Sequence, residues 1–537
     1  MVEDVSGTKN GQIHIKSVWS EPNEKANRHK LASKISIDDV DKQSEIEIFF
    51  EVPTEYASAL VDDRCDAFVV LILHRALSKG YNIVSDVPMS SDLLFNIKEF
   101  LLPALMNNGP YRISIDIPKK HPMKHGKGVG TGLSCGVDSF HAIKTFINYN
   151  DADFKLTHLC INDVGAFNAI YESPELAKKE SYKRSSSAAE MIGLPLIKTY
   201  SNADLIFHQN HYLTHFFSSL FAVMCMGKLF KTYIYASAGH PLSKIDLNNW
   251  WNKDSDDYEL LLLRYFSTRS LQLYSAGEML TRLEKIEIIS DYDVAKKHLY
   301  SCTYKDKNCG ICDKCIRNLT ALDAIGKLDE FSNVYDIEKY KEMRLFCLNY
   351  AYNRKDDQYF GPIINRFIKN NEPDVLRIKQ IRSAIVEFDE LWASSDSAMN
   401  KKAVQLLEPY TLYSVSASFR IMNAYRSGKG VPKDLEKAAL YHDFIEDAFR
   451  RELGWGIAGS GLRLFDMLWS EERYDELMAT IKPIENNPGA RYRLAKMLFY
   501  GKGIEMDKNN AKTIMKALCV RNKAFEKQYL EMFGKEQ

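Results

Sequence analysis

Hydrophobic and polar residues alternate along the first 125 residues with the two periods that are typical of strands and helices. The segments EIEIFFEVP (45–53) and YRISIDIP (111–118) alternate residue by residue, which predicts two half-buried β-strands. Residues 62–80 and 90–109 have apolar residues at helical spacing, and each segment ends at a glycine, which predicts two helices. We therefore predict an N-terminal α+β extension over residues 1–125.

Residues 126–335 show a regular alternation of short apolar segments and longer helical ones. The strand candidates are GVGTGL (128–133), KLTHLCI (155–161), LPLIKTY (194–200), KTYIYAS (231–237) and EKIEII (284–289). This alternation is typical of α/β proteins, in which helices cover both faces of a parallel sheet. We predict a five-stranded parallel sheet of the Rossmann-like kind, whose ligands bind beyond the carboxyl ends of the strands.

The C-terminal part contains an internal repeat. Residues 417–444 and 490–517 can be aligned over a helix, a Gly-Lys-Gly turn and a second helix. Their separation is twice a unit of about 36 residues, so we expect a degenerate copy between them. The two copies resemble the Sel1-like class of tetratricopeptide-type repeats. The resemblance implies a concave surface for a protein partner over residues 411–537, although a simple structural cap is the alternative. Residues 336–410 are predicted to be a helical connector.

The balance of charges changes the list of expected partners. The 537 residues include 71 basic and 71 acidic side chains, so no global field attracts nucleic acid or an anionic membrane. The N-terminus lacks a basic start followed by an apolar run, and no window reaches the roughly 18 apolar residues of a membrane span. We therefore expect a soluble cytoplasmic protein with neither a nucleic-acid nor a membrane partner, and a homodimer remains open.

The stretch from Gly128 to Phe146 concentrates glycines and small hydroxyl residues between the first strand and its helix. A helix N-terminus attracts phosphate through its unpaired N–H groups and its partial positive charge. Gly132 and Gly136 allow a close approach of the backbone, and Ser134 and Ser139 add hydroxyl donors. Asp138 is predicted either to cap the helix or to hold a Mg²⁺ ion that bridges phosphates. The alternative is an ordinary glycine-rich turn with a capping serine.

The spacing of the loop excludes two common phosphate-binding motifs. No Lys-Ser or Lys-Thr pair follows its glycines, and the third glycine of a dinucleotide fingerprint is replaced by Cys135. The segment SCGVDS (134–139) instead resembles the Ser-Gly-Gly-x-Asp-Ser loop of the ATP pyrophosphatase (PP-loop) superfamily, with cysteine at one glycine position. The resemblance implies an ATP site formed by the residues Gly132, Ser134, Cys135, Gly136, Val137, Asp138 and Ser139. It also implies catalytic roles for Asp138 and Ser134 and a sheet of the HUP type.

Four of the ten cysteines lie within fourteen residues, in the segment SCTYKDKNCGICDKCIRN. Cys302, Cys309, Cys312 and Cys315 can provide the four thiolates of a closed tetrahedral zinc site. Gly310 permits the tight turn between two of them. A redox dithiol would explain two of these cysteines and leave two over. The spacing therefore predicts a structural Zn²⁺ ion.

The loop and the cysteines together, with Arg317 after the last cysteine, resemble the 7-cyano-7-deazaguanine synthase family over residues 128–325. The resemblance implies an ATP-dependent ligase with Mg²⁺ and Zn²⁺. Such an enzyme adenylates a carboxylate, releases AMP and pyrophosphate, and lets a nitrogen nucleophile attack the adenylate. Long segments flank this region. We therefore expect the substrate to be either a small-molecule carboxylate, larger than the usual substrate of the family, or a protein. Related enzymes with added domains occur in bacterial antiviral defence gene clusters.

Weaker signals surround the predicted site. Asn162 and Asp163 follow the second strand, where a nucleotide's base or ribose can bind, or where a polar turn simply ends the strand. A helix N-terminus can lower the pKa of a thiol such as that of Cys135. Three further residues could line the pocket: Ser237, Gly239 and His240. Four cations could neutralise phosphates or a substrate carboxylate: Arg264, Arg269, Arg282 and Lys285. For both groups an ordinary surface role is the alternative.

Two other functions remain open from the sequence. The same loop is used for tRNA modification by sulfur or amine transfer, but a tRNA-binding protein usually has a basic face. A non-catalytic scaffold would keep the repeats and a relic nucleotide site. The retained Ser134, Asp138 and Ser139 favour the enzyme.

Overall fold

The computed structural model describes residues 11–39, 42–167, 174–207, 210–238, 245–302 and 307–534. The chain divides into two compact units. The first consists of Met1–Glu342 and Arg354–Arg366, and the second of Met343–Asn353 and Phe367–Gln537. The first unit contains the sheets, whereas the described part of the second unit is helical.

The N-terminal part of the first unit is a mixture of strands and helices. Its strands are β1 (Gly11–Asn23), β2 (Arg28–Asp39), β3 (Lys42–Pro53), β4 (Tyr81–Ser85), β5 (Met89–Ser90), β6 (Ile115–Asp116) and β7 (Lys119–Lys120). Its helices are α1 (Asp66–Lys79), α2 (Ser91–Asn96) and α3 (Leu102–Asn107), with a π-helical turn at Ile97–Leu101 between the last two. The alternation predicted for residues 45–53 is confirmed in β3, but only two residues of the segment 111–118 pair as a strand.

The remaining strands of the first unit belong to an α/β alternation. The strands are β8 (Gly128–Gly132), β9 (His158–Asp163), β10 (Leu196–Ser201), β11 (Phe230–Ala236) and β12 (Gln272–Ala276). The helices are α4 (Val137–Phe146), α5 (Pro174–Ile192), α6 (Ala203–Phe207), α7 (His211–Cys225), α8 (Glu259–Phe266), α9 (Arg282–Ile289), α10 (Asp293–His298) and α11 (Asp313–Ala324).

The large sheet has ten strands in the order β12-β11-β8-β9-β10-β3-β2-β1-β4-β6, and β5 pairs with β7 in a small second sheet. The five strands from β12 to β10 pair in parallel, whereas β10 and β3, β3 and β2, and β2 and β1 pair in antiparallel fashion. The parallel strands are thus one half of a mixed sheet and not the separate five-stranded sheet that the sequence predicted.

The two halves of the sheet meet where β3 pairs with β10. Tyr200 is opposite Glu51, and the Ser201 hydroxyl donates to the Phe49 carbonyl at 2.6 Å. Beneath this pair, the Phe221 ring of α7 packs against Phe50 of β3 and Phe68 of α1, with centroids 5.8 and 5.5 Å apart. One hydrophobic core therefore serves both halves of the sheet.

The prediction of a strand at residues 284–289 is wrong, because this segment lies in α9. Thr281 and Glu284 form a capping box at its start, and its buried apolar residues Leu283, Ile286 and Ile289 are spaced three apart. The mixture of charged and apolar residues in EKIEII resembles a strand only over these six residues. The fifth parallel strand is β12, which the sequence analysis missed because only Leu273 and Ala276 of it are buried.

Helices α12 (Ile337–Tyr352) and α13 (Gly361–Lys369) each have residues in both units. The other helices of the second unit are α14 (Pro373–Trp392), α15 (Ser397–Leu407), α16 (Val415–Ser427), α17 (Leu435–Gly454), α18 (Ala458–Ser470), α19 (Leu477–Ile481), α20 (Pro488–Tyr500), α21 (Lys508–Arg521) and α22 (Glu526–Phe533). They include two helix pairs of matching geometry, α16 with α17 and α20 with α21. The N–H of Asp434 donates to the Tyr425 carbonyl at 3.0 Å, and the N–H of Asp507 to the Leu498 carbonyl at 2.9 Å.

The turns of the two pairs match as well. Gly430 and Gly503 have φ values of 75° and 76°, in the left-handed region that favours glycine. Asp434 and Asp507 each cap the second helix of their pair through a side-chain oxygen. The predicted internal repeat is therefore present in the structure. Among the described helices, none combines the length and the apolar character that crossing a membrane requires.

Candidate functional site

The strand order places the loops after β8 and β11 side by side. Along the sheet, β9 and β10 lie on one side of β8, and β11 and β12 lie on the other. The order of the chain thus reverses beside β8, and such a reversal leaves a crevice at the carboxyl ends of the two strands. The predicted phosphate loop, residues 133–136, follows β8, and Ser237 follows β11. Both therefore face the position at which a ligand of this sheet is expected.

The loop after β8 is closed by its own hydroxyl groups. The N–H of Gly136 donates to Ser134 Oγ at 3.3 Å, and Ser139 Oγ donates to the Gly136 carbonyl at 3.0 Å. Gly136 is the N-cap of α4, and no described side chain caps this helix. The N–H groups of the first turn have no partner inside the helix, and Ser134 is exposed beside them. The loop can therefore accept an anion.

The other predicted loop residues frame this turn. Gly132 is the last residue of β8, and a Cβ on it would meet only the Tyr233 hydroxyl, at 3.8 Å. Val137 is the first residue of α4 and is buried. Gly132 thus lies in open space, whereas Val137 anchors the helix in the core.

Cys135 occupies the position that is usually glycine in the PP-loop superfamily, and it has a left-handed φ of 60°. This conformation strains a residue with a Cβ by about 1 kcal/mol. The Tyr300 N–H donates to its carbonyl at 2.8 Å, and its buried thiol lies 3.8 Å from the Ser185 hydroxyl. Burial raises the pKa of the thiol to about 11. The sequence left two possibilities for Cys135, a lowered thiol pKa or a plain replacement of glycine, and burial opposes the first.

Asp138 does not cap α4. Its carboxylate is instead bound by two cations of α9. Arg282 Nη1 donates to Oδ2 at 2.8 Å, and Lys285 Nζ donates to Oδ1 at 2.9 Å. Lys285 also donates to the Ser237 carbonyl at 2.7 Å, and its side chain is only 1% exposed. Burial opposes the ionisation of Asp138, but the charges of Arg282 and Lys285 outweigh it and hold its pKa well below the usual range.

Two further cations extend this group on α11, which packs against α9. Lys314 is exposed, whereas Arg317 is buried. The Arg317 guanidinium lies 4.4 Å from the centre of the Tyr359 ring, and the charges of Arg282 and Asp138 act on it. Together, Arg282, Lys285, Lys314 and Arg317 form what we call the cation cluster. Asp138 is its only ion-pair partner among the described residues.

Two further buried titratable residues lie near the site, Glu259 of α8 and His141 of α4. Neither was predicted from the sequence. The Ser237 hydroxyl donates to Glu259 Oε1, and Glu259 Oε2 is buried without a partner in the described part of the chain. Burial raises the pKa of Glu259 to about 9, and the charge of Asp256 adds to this shift. Burial and the charge of Lys285 lower the pKa of His141 to about 4. Nothing in their local sequence distinguishes these two residues from ordinary helix residues.

The weaker candidates have different environments. The Asn162 amide oxygen accepts from the Thr199 hydroxyl at 2.9 Å, and Asp163 forms an ion pair with Lys178 at 2.5 Å. Burial raises the pKa of Asp163, against the opposing charge of Lys178. Both residues lie at the carboxyl end of β9, as predicted. Arg264 and Arg269 are exposed and form no ion pair among the described residues, whereas Gly239 and His240 lie outside them.

The four predicted metal ligands come together at the start of α11. The sulfur atoms of Cys302, Cys309, Cys312 and Cys315 all lie within 4.8 Å of one another. Cys309 Sγ and Cys315 Sγ are 4.0 Å apart, and Zn–S bonds of about 2.3 Å in a tetrahedron place sulfurs about 3.8 Å apart. Gly310, between two of the ligands, has a φ of 77°, and a Cβ added to it would meet no atom within 4 Å. The group could hold a metal ion such as zinc.

Two other groups of possible ligands are already engaged in hydrogen bonds. His215 Nε2 lies 2.9 Å from Asp254 Oδ1, which also accepts from the Asp256 N–H. In the second unit, Arg473 Nη1 donates to Glu446 Oε2 at 2.7 Å, within the group that also includes His442 and Glu471. We assign no metal to either group.

No protein-family model matches the sequence, and no curated protein matches it either. Among solved structures, the chain is similar to that of c5321, a protective antigen present in uropathogenic Escherichia coli strains and described as displaying an SLR fold. The identity is 11%, the match covers 48% of this chain and 68% of the other, and the TM-score is 0.20. A likeness at this TM-score carries no argument about fold or function.

Proposed function

We propose that the protein is an ATP pyrophosphatase of the PP-loop kind that adenylates a carboxylate and releases AMP and pyrophosphate. The observation that carries this proposal is the meeting of an uncapped helix N-terminus with the cation cluster at the switch point of a parallel sheet. ATP brings up to four negative charges, and the first-turn amides together with Arg282 and Lys285 supply the complementary groups. The adenylate then reacts with a nitrogen nucleophile, so the protein acts as a ligase.

Three groups at the site have defined roles in this proposal. The N–H groups of the first turn of α4 and the exposed Ser134 hydroxyl bind the outer phosphates. Asp138 fixes Arg282 and Lys285 in place before the nucleotide binds, so that positive charge is already oriented when the leaving pyrophosphate gains charge. Asn162, at the end of the neighbouring strand, is placed for the ribose or base.

Metal ions enter the proposal in two places. Mg²⁺ would accompany the phosphates and offset their charge when ATP is bound. The four-cysteine group would hold Zn²⁺ as a structural ion, since all four ligand positions are filled by protein. Cys312 and Cys315 flank Lys314 at the start of α11, so a metal there would fix the first turn of the helix that carries two members of the cation cluster.

The test is to incubate the full chain with ATP, Mg²⁺ and candidate carboxylates, and to follow AMP and pyrophosphate. We expect both products in equal amounts, with loss of at least a hundredfold in Asp138→Ala and of at least tenfold in Ser134→Ala. Arg426→Gln, which alters an exposed arginine outside the cluster, is the matched control. Formation of ADP and orthophosphate would contradict adenylation.

The repeats of the second unit support a second proposal, a protein partner. Large apolar side chains are exposed there, including Leu435 and Leu440 of α17 at 62% and 68%. Such residues on stacked helix pairs are typical of protein-binding surfaces. We propose that this surface brings a protein to the ligase, as its substrate or as an accessory factor, in keeping with a role in antiviral defence. Proteins that bind the full chain would be offered to it with ATP, and Leu440→Lys should reduce both binding and AMP formation.

A further inference from the structure

Arg317 is a buried cation that forms no ion pair with any of the described residues. The residue is 7% exposed, and its Nε has no hydrogen-bond partner among the described residues. Its guanidinium lies against the face of the Tyr359 ring, with the guanidinium carbon 4.4 Å from the ring centre. A buried guanidinium without a hydrogen-bonded anion costs several kcal/mol. The fold therefore holds Arg317 at a cost that a bound anion would offset.

The surroundings of Arg317 do not remove this deficit. The charges that act on it include two carboxylates, Asp138 and Asp357, and one cation, Arg282. Asp138 already accepts from Arg282 and Lys285, and Asp357 Oδ1 accepts from the N–H groups of Tyr359 and Phe360. Lys314, one turn earlier on α11, adds positive charge and forms no ion pair in the described part of the chain.

We propose that Arg317, with Lys314 beside it, binds the carboxylate of the substrate that is adenylated; this inference rests on the proposed function. A guanidinium offers two parallel N–H groups, which match the two oxygens of a planar carboxylate. The Tyr359 ring lies over the guanidinium, and the buried Nε has no hydrogen-bond partner among the described residues. Adenylation brings this carboxylate to within about 3.5 Å of the α-phosphorus, so a cation near Asp138 and Arg282 reduces the repulsion between two anions.

The four-cysteine group supports this assignment. Cys315 lies between Lys314 and Arg317 on the first turn of α11, and it is one of the four sulfurs that meet within 4.8 Å. A metal held by these sulfurs would therefore fix the direction of both cations. The metal site would be a positioning device for the carboxylate site, in addition to a staple for the fold.

The experiment uses the full chain and two probes, benzoate as a planar carboxylate and inorganic pyrophosphate as the product of the phosphate loop. Binding of each is measured by isothermal titration for the wild type, Arg317→Met, Arg317→Lys and the control Arg426→Gln, which changes an exposed arginine. We expect Arg317→Met to weaken benzoate binding at least tenfold and pyrophosphate binding less than twofold. The benzoate affinity of Arg317→Lys should lie between those of the wild type and Arg317→Met, since lysine keeps the charge but lacks the two parallel N–H groups.

Other outcomes separate this inference from the proposed function. If pyrophosphate binds but benzoate binding is absent or independent of Arg317, the carboxylate site is overturned and the phosphate loop stands. If Arg317→Met weakens both probes equally, Arg317 binds the nucleotide phosphates and the inference fails. If benzoate binds through Arg317 and pyrophosphate does not bind, the anion site stands and the ATP pyrophosphatase proposal fails. Equal zinc content and equal melting temperature for Arg317→Lys and wild type exclude a folding effect.

Discussion

Lys285 Nζ lies 2.9 Å from Asp138 Oδ1, although the two residues are 147 positions apart in the sequence. One residue belongs to the helix that follows the first parallel strand, and the other to the helix that follows the last. The contact therefore exists only when the parallel half of the sheet is complete. The same ion pair thus holds α4 against α9 and orients Lys285 beside the proposed phosphate site.

The first prediction concerns the energy of this pair. Because Lys285 is 1% exposed, removing its carboxylate partner leaves a buried charge without a full set of partners. We expect Asp138→Ala to lower the free energy of unfolding by about 3 kcal/mol. Combining it with Lys285→Met should cost less than the sum of the two single changes, by about 1–3 kcal/mol. Urea unfolding of the four proteins measures this coupling.

The exposed pair Lys16–Glu45 is the matched control, with side chains 37% and 42% exposed. Its coupling energy should not exceed about 1 kcal/mol. Equal coupling in the two pairs would show that burial does not strengthen the Asp138–Lys285 contact.

A second prediction concerns Gly277, where backbone conformation and space both require glycine. Its φ is 84°, and a Cβ would lie 2.9 Å from Lys285 Cε and 2.8 Å from His141 Cε1. We expect Gly277→Ala to displace Lys285 from Asp138 and to lower AMP formation at least tenfold. Gly326→Ala separates strain from displacement, since Gly326 has a similar φ of 70° and open space around it. It should cost about 1 kcal/mol of stability and leave activity unchanged. Similar activities for the two variants would contradict this role of Gly277.

The third prediction concerns the metal. Purified protein should contain about one zinc ion per chain, by elemental analysis, and Cys312→Ser should lose it. Cys519→Ser, which changes a cysteine outside the group, should keep the metal. A stably folded wild-type protein without zinc would refute the structural site.

The fourth prediction concerns the pH dependence of stability. Glu259 ionises near pH 4.5 in an unfolded chain, whereas burial raises its pKa to about 9 in the fold. The folded protein binds the proton more tightly, so the contribution of Glu259 is complete below pH 4.5 and is lost as the pH rises toward 9. Glu259→Gln stays neutral, so its advantage over the wild type should grow by about 1.4 kcal/mol per pH unit within this window.

Urea unfolding at several pH values between these limits measures the difference. Glu55→Gln, the same change at an exposed position, is the matched control. Parallel curves for Glu259→Gln and wild type would mean that Glu259 is ionised in the folded protein.

The fifth prediction concerns the repeats. A Cβ at Gly430 would lie 2.5 Å from the Asn400 carbonyl oxygen, and one at Gly503 would lie 2.2 Å from that of Tyr474. Since both glycines also have left-handed φ values, each alanine variant should lose at least about 2 kcal/mol of stability. Gly454→Ala, in a helix with no atom within 4 Å of the added carbon, should be neutral or stabilising. Tolerance of alanine at Gly430 would show that this turn can rearrange.

Local signals in the sequence predicted the parts of the molecule whose structure is local. The strand of the segment 45–53, the turns of the repeats and the clustering of the four cysteines each depend on neighbouring residues, and each is present. The strand prediction for residues 284–289 was wrong because the six residues EKIEII fit either period, and the capping box at Thr281 favours a helix.

Long-range pairings could not be predicted in the same way. The joining of β3 to β10 unites strands about 150 residues apart, and neither strand carries a mark of its partner. Glu259 and Arg317 gain their unusual environments only from burial, which a single sequence does not reveal at isolated charged positions. The sequence did identify Arg282 and Lys285 as candidates, but the pairing of both with Asp138 needed the fold.

The seam between β3 and β10 has a consequence for how the molecule could be shortened. β3 pairs with Tyr200 and Ser201 of β10 and so covers part of an edge that would otherwise present open N–H and C=O groups. A protein shortened to the α/β half would expose these backbone groups to strands of other molecules, and it would therefore tend to aggregate. The N-terminal strands thus protect the edge of the α/β half, which contains the proposed site, from pairing with other chains.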